Sequence, residues 1–484
     1  MRRFLALAGR LGRLFAFFGL LMSLPALVSW AYDDGLELIY LTRAAAVFVG
    51  GLGLAALGAR HRRRMTLRDG FLLVALVWIL LPALATLPLL AALPSLSFVN
   101  AYFESASGLT ATGATVLTGL DDLPPSLNFW RAQMIWLGGM GLIVLVVAVL
   151  PFLGAGSSVM MQNELPGPIK NERLRPQITQ TAKLLWLIYA GFTVLCALAY
   201  WLAGMSRLDA VIHAFTTLGL GGFSSHDASY GYFNSPLIEG IAVMFMVFAG
   251  INFALHYSAL SAKSTRPYWF NLECRAYLLV VTVAVTVVII FLRLNGTYDN
   301  WGDALRYGLF NTVSIITTTG YSNTDYNAWP LFAPLLILIL ANVTSCSGST
   351  GGGIKMIRTL VLLYQTEPES RRQLHPQAYS QNKAFATAPS QQITSVLFFI
   401  LAYIGTAAGL MLILAATGMD FVSAFSAALA TISNTGPGLG EVGPASSYAG
   451  LTPLQTGLCA FSMLIGRLEL LSFIVLLRRS FWVY

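Results

Sequence analysis

Four stretches of the chain read alike: YFESASGLTATGATVL (102–117), LDAVIHAFTTLGLGGFS (208–224), ALRYGLFNTVSIITTTGYS (304–322) and DFVSAFSAALATISNTGPG (420–438). Each starts as a short amphipathic helical stretch of about ten residues and ends in a turn rich in Thr, Ser and Gly. The second and third end GGFS and TGYS, which aligns Gly222 with Gly320, and the same frame selects Gly113 in TATGA and Gly436 in NTGPG. Internal repeats outrank any local motif as evidence about architecture.

Long apolar segments surround these stretches. About 20 apolar residues in a helix can cross the roughly 30 Å hydrocarbon core of a bilayer. Ten such spans are expected, at 13–31, 40–58, 71–93, 130–154, 183–204, 236–260, 274–294, 331–365, 392–416 and 453–477. The eighth is too long for one crossing and is interrupted by SCSGSTGGG. The first follows the basic stretch MRRFLALAGRLGR and could pass for a signal peptide. Its apolar run is long and a second follows closely, so it is read as a retained span. The expected unit is span, re-entrant half-helix, extended return, span, four times over. This makes an all-α membrane protein with an N-terminal helix hairpin (1–70) and pore repeats at 71–160, 161–263, 264–365 and 366–484, the third with a broken second span.

Composition excludes a soluble protein. Only 10% of the 484 residues are charged, against roughly 25% in soluble domains, and 56% are hydrophobic. The mean hydropathy is +0.69. The net charge of +8 is explained by topology, not by nucleic acid. With the N-terminus in the cytoplasm, 23 of the 29 basic residues fall inside, among them Arg2, Arg3, Arg60, Arg62, Arg63, Arg64, Lys170, Arg173, Lys263, Lys355, Lys383 and Arg478. Outside are Arg43, Arg131, Arg207, Arg293 and Arg306, with 14 of the 21 acids, and an outer face of that sign concentrates cations. Cys196, Cys274, Cys346 and Cys459 are too scattered for a disulfide framework or a metal site. His61, His213, His226, His256 and His375 have no metal-ligand spacing and no acid–base partner in one span, so an enzyme is not expected. His226 and Asp227, just after the second turn, read as outer-vestibule residues.

Non-helical backbone at membrane depth is tolerated only where it is buried in protein or lines a watery cavity. Four copies around one axis favour the cavity. A half-helix entering from outside points its C-terminal end, with its partial negative charge, at the membrane centre, which suits a dehydrating cation. The extended return then offers backbone carbonyls in place of water. A glycine serves where a Cβ would forbid the backbone conformation.

TATGA, LGLGGFSSHD, IITTTGYS and ISNTGPGLG resemble the four filter segments of the TrkH/KtrB/HKT superfamily, and the extra N-terminal hairpin places the chain nearest the TrkH branch. The resemblance covers the whole chain. It implies uptake of potassium through one pore per subunit, in a homodimer in the bacterial inner membrane, on a cytosolic TrkA-like ring of nucleotide-binding regulatory subunits. It also implies potassium coordination by Ala111, Thr112 and Gly113; Leu220, Gly221 and Gly222; Thr318, Thr319 and Gly320; and Asn434, Thr435 and Gly436. Ala111 stands where a threonine is usual, which matters little if carbonyls coordinate. Plant members with a serine at the first filter glycine carry sodium; Gly113 therefore favours potassium.

The interruption SCSGSTGGGIK (345–355) carries four glycines within 348–353, each costing about 1 kcal/mol in a helix interior, so the helix melts there. It is not a phosphate-binding loop, because Gly353 is followed by Ile354 before Lys355. Its place in the third repeat puts Gly348, Ser349, Thr350, Gly351, Gly352, Gly353 and Lys355 below the turns, in the path of an ion. Arg467 lies inside the last span, where an arginine is costly. It is either structural, with Glu469 as a poorly placed partner, or functional; the resemblance favours an arginine facing the pore. Together, loop and arginine form the expected gate. The alternative to a pore is an ion-coupled secondary transporter, which usually carries inverted repeats. These repeats run in one direction.

Overall fold

The computed structural model describes residues 2–59, 61, 66–153, 175–374, 390–468 and 470–483. Arg60, Arg62, Arg63, Arg64, Lys170, Arg173, Lys383 and Glu469 lie outside them, and with them the possible Arg467–Glu469 pairing. Among the described residues there are helices and no strand. The N-terminal hairpin is α1 (Arg2–Met22), α2 (Leu24–Tyr32) and α3 (Glu37–Ala59). Small residues bring its arms together: a Cβ on Gly12 would meet the Gly51 and Ala55 backbone, and one on Gly58 the Gly9 backbone.

Four runs of similar order follow. The first is α4 (Leu67–Ala92), half-helix α5 (Phe98–Leu109) and α6 (Pro125–Leu153). The second is α7 (Arg175–Leu202), half-helix α8 (Arg207–Gly219), α9 (Pro236–Ala249) and α10 (Phe253–Ala262). After the short α11 (Arg266–Phe270) comes α12 (Leu272–Leu294), half-helix α13 (Trp301–Ile316), α14 (Phe332–Ala341) and α15 (Met356–Leu374). The last is α16 (Ser390–Ala416), half-helix α17 (Phe421–Ile432), α18 (Pro453–Arg467) and α19 (Leu470–Leu477), then α20 (Arg479–Val483).

The half-helices start where the sequence supplies caps. Ser97, Ser206, Asn300 and Asp420 each accept a hydrogen bond from the backbone N–H three residues on, at 2.7–3.2 Å. Each return is followed by one turn of 3-10 helix: Leu120–Asp122, Ser229–Tyr232, Tyr326–Ala328 and Gly440–Val442.

The spans are less regular than the ten expected. Six described helices are long and apolar enough to cross a membrane, or seven with the bent pair α9–α10. The expected sixth span, 236–260, is not straight: α9 and α10 meet at 94°. Asn252 caps the new helix by accepting from the Ala254 N–H at 2.8 Å, and the Tyr277 ring occupies the space beside Gly250. The last expected span, 453–477, also breaks, at Arg467–Leu470. The eighth breaks as its glycines require, leaving α14 and α15 separated by 342–355.

Candidate functional site

The four half-helices end identically. The N–H groups of Thr112, Gly221, Thr319 and Thr435 each reach back five residues, to the carbonyls of Ser107, Thr216, Ser314 and Ala430, at 2.8–3.1 Å. The preceding residues, Ala111, Leu220, Thr318 and Asn434, are left-handed, with φ of 52–62°. That is a Schellman motif with a non-glycine residue where glycine is usual, at a cost of about 1–2 kcal/mol each. These four are the first residues of the expected coordinating triplets.

The third residue of each triplet stacks against the next return. A Cβ on Gly113 would lie 2.8 Å from the Gly222 nitrogen. One on Gly222 would lie 2.6 Å from the Thr319 carbonyl oxygen, one on Gly320 would strike the Thr435 carbonyl, and one on Gly436 would lie 2.5 Å from the Thr112 oxygen. The four glycines thus close a ring, each in the space another residue's Cβ would fill. The middle residues, Thr112, Thr319 and Thr435, are fully buried, and their hydroxyls pair with Thr110, Thr317 and Ser433 at 2.7 Å. The second return has Gly219 and Gly221 instead and no such pair. Three carbonyls of the set accept hydrogen bonds from within the protein: Thr319 from the Gly222 N–H at 2.5 Å, Gly221 from the Phe223 N–H at 2.6 Å, and Gly436 from the Tyr448 hydroxyl at 2.8 Å.

Behind each return stands a polar side chain of its own half-helix, nine or ten residues before the glycine. Glu104 accepts from the Thr115 hydroxyl and from the Val116 N–H. His213 meets the Ser224 hydroxyl at 3.0 Å. The Asn311 amide donates to Asn323, whose own amide donates to Glu239, the partner of Arg306. Ser426 accepts from the Leu439 N–H and donates to the Leu439 carbonyl. The sequence reading missed all four, because each repeat uses a different residue type. Each half-helix also buries other polar side chains, such as Ser105, Thr216, Thr312 and Thr431, so none of the four stood out. Arg131, expected outside, is buried to 1% exposure and paired with Glu104 at 2.8 Å.

Above the ring is an open cavity of ≈ 310 Å³, lined by Gly113, Gly222, Gly320 and Pro437 below and by Thr118, His226 and Asp227 at its side. His226 sits between Asp121, at 2.5 Å, and Asp209, at 3.4 Å, and stacks on Tyr232. Burial disfavours its charged form, but the two carboxylates outweigh burial and raise its pKa above the ordinary 6.5. Several outer acids are therefore structural. Asp34 accepts from the Ser126 N–H and Asp420 caps α17, which reduces the free negative charge facing solvent.

Below the ring lies the glycine-rich loop. Thr350 donates to the Leu218 carbonyl at 2.9 Å, and the Gly352 N–H donates to the Thr318 hydroxyl at 2.9 Å. A Cβ on Gly351 would lie 3.2 Å from the Thr317 oxygen, and one on Gly352 would strike the Ser433 carbonyl. The loop is thus seated under the ends of α8, α13 and α17. Its glycines are required by close approach, which melting of a helix alone does not explain. Gly348, Gly353 and Lys355 are left-handed, and the Lys355 ammonium donates to the Gly351 carbonyl. Ser349 donates to the Cys346 carbonyl at 2.6 Å. The loop also rests on the α9–α10 bend, through Phe253 N–H to the Gly348 carbonyl and Cys346 N–H to the Gly250 carbonyl. Arg467 closes the fourth side. It donates to Thr350 at 3.0 Å, to Gly138 at 2.9 Å and to Gly139 at 3.3 Å, all backbone carbonyls, while its Nε has no acceptor. No cluster of three or more His, Cys, Asp or Glu fit for a metal occurs among the described residues.

Half-helices set among long apolar helices, a ring of backbone turns and a loop beneath it fit the class of membrane transport proteins. The TrkH family, described as cation transport proteins, matches residues 41–482, and the chain belongs to it. The "Trk system potassium uptake protein TrkH" of Vibrio parahaemolyticus is 42% identical over 475 residues, 97% of this chain and 98% of that one. The TrkH of Escherichia coli K12 is 40% identical, covering 99% of both chains. The crystal structure of the potassium transporter TrkH from Vibrio parahaemolyticus covers 99% of both chains with a TM-score of 0.89 at 41% identity.

Proposed function

We propose that the chain takes up potassium through one pore formed by four repeats and ten membrane crossings, with the N-terminus in the cytoplasm of a bacterium's inner membrane. The ring of Gly113, Gly222, Gly320 and Gly436, each following a left-handed residue by two positions, carries this reading. Carbonyls of residues 111–113, 220–222, 318–320 and 434–436 replace the hydration shell of the ion. The loop 348–353, with Lys355 and Arg467, closes the path below them. A potassium pore fits relatives named as potassium uptake proteins. A homodimer on a cytosolic TrkA-like nucleotide-binding ring regulates it; the relatives' membership of a Trk system is consistent with a further component.

Reconstituted protein in liposomes tests this. Radiotracer potassium influx driven by a potassium gradient alone, ahead of sodium and lithium, is the expected result. Strict dependence on a proton or sodium gradient would instead identify a coupled transporter. Mild-detergent extraction with tagged protein should recover a nucleotide-binding subunit.

A further inference from the structure

The Glu104–Arg131 pair sits behind the first return with almost every polar atom engaged. Both side chains are at least 99% buried. Glu104 takes hydrogen bonds from the Thr115 hydroxyl at 2.9 and 3.0 Å and the Val116 N–H at 3.0 Å, two and three residues beyond Gly113. Arg131 does something different with its fork. One nitrogen binds Glu104 at 2.8 Å, a second binds Asn128 at 3.1 Å and the Ser224 carbonyl at 3.0 Å, and the third binds the Thr115 hydroxyl at 3.2 Å. Ser224 lies two residues beyond Gly222, and the guanidinium also stands 4.4 Å over the ring of Phe223, between them. The pair therefore grips the first return through its acid and the second through its base. The first return is in turn held to the fourth, since the Thr115 carbonyl accepts from the Tyr448 N–H at 2.9 Å.

We propose that Glu104 and Arg131 are positioning residues for ion selection: one buried ion pair sets the separation of the first and second returns, and so the width of the carbonyl ring at Gly113 and Gly222. This rests on the filter reading above. The chemistry matches the task. A carboxylate accepts from a hydroxyl and an amide at once, and a guanidinium presents donors in a fixed planar fork that lysine lacks. Removing either partner leaves a buried charge unpaired, so relaxation of the returns is the route by which the site regains its hydrogen bonds. No other return is bridged to its neighbour by a fully buried ion pair among the described residues; the Glu239–Arg306 pair is part-exposed and reaches the third return through Asn323.

The test measures permeability ratios, which do not depend on how much protein folds. Glu104→Gln, Arg131→Lys and Thr115→Val are reconstituted beside wild type and Gly113→Ser. Potassium-to-sodium and potassium-to-rubidium ratios are read from liposome flux. Glu104→Gln and Arg131→Lys should each lower the potassium-to-sodium ratio at least about threefold, and Thr115→Val, which deletes only the shared hydroxyl, about twofold. Thr115→Val keeps the proposal testable if both charge variants fail to fold. Wild-type ratios in every variant that purifies as a single species overturn the proposal, provided Gly113→Ser loses selectivity. If Gly113→Ser also keeps the wild-type ratio, the filter reading itself fails and this proposal falls with it. A loss of yield with unchanged ratios identifies a purely structural pair and counts against the inference.

Discussion

The ring of returns and the loop beneath it are both glycine-bearing, non-helical backbone set among long apolar helices, yet they are held differently. Each return is fixed by its own half-helix, through a terminal hydrogen bond five residues back and a polar side chain behind it. The loop is fixed mostly by others: by carbonyls and a hydroxyl of α8 and α13, by the α9–α10 bend and by Arg467 on α18. A return takes its local shape from its half-helix, while bonds such as Gly222 N–H to the Thr319 carbonyl set its distance from its neighbours. The loop keeps its place only while five separate elements keep theirs. Firm holding above and conditional seating below is the arrangement the proposed filter and gate would require.

Predictions that break or sharpen this contrast can be ordered by expected effect. Gly320→Ser forces a side chain into the Thr435 carbonyl and should lower potassium preference over sodium by about tenfold or more in liposome flux. A wild-type preference in folded protein would remove the returns from ion selection. Arg467→Ala deletes charge-assisted bonds worth about 1.5–3 kcal/mol each and should raise basal, partner-free potassium flux about tenfold. Flux that stays level or falls in monodisperse protein makes the arginine structural. Thr350→Val removes one bond under α8 and should raise the same flux only about twofold to fivefold. Tyr448→Phe frees the Gly436 carbonyl from one hydroxyl and should change the potassium-to-rubidium ratio by about twofold, leaving basal flux unchanged.

The smallest effect belongs to the vestibule. The raised pKa of His226 means that its ion pairs stabilise the fold fully below pH 6.5 and are lost as pH rises through the raised value. The pKa of Asp121 is lowered: burial opposes this, but the His226 and Asp227 hydrogen bonds prevail, so its share is lost only as pH falls below 3.8. Asp121 is largely exposed, so screening limits the effect to about 1 kcal/mol or less. Thermal unfolding of wild type should therefore shift downward above pH 6.5, and His226→Asn should flatten that slope. A slope unchanged by the substitution assigns the pH response to another group.

What could be read in the sequence was whatever the four copies share. The glycines 113, 222, 320 and 436 and the turn chemistry around them recur, so they stand out even without a second sequence. The interruption at 345–355 was visible because four glycines within six residues weaken a helix, though their close approach to α8, α13 and α17 was not. What the copies do not share stayed hidden. Glu104, His213, Asn311 and Ser426 do one job with four side chains, and no pattern search would group them. Counting charges placed Arg131 on the outer side, and such a count says nothing of its burial against a paired acid. The bend at Gly250–Asn252 left a signal, a glycine followed by a capping asparagine, but average hydropathy runs straight through it.

Three returns carry a hydroxyl pair beside the middle residue of the triplet, and the second, with Gly219 and Gly221, does not. A channel assembled from four identical subunits cannot differ from itself in this way, since symmetry repeats every substitution four times. Here one codon alters one quarter of the ring. On the proposed filter reading, mutational steps toward a different ion are correspondingly small, and a lineage can try them one at a time while three returns hold the inherited chemistry.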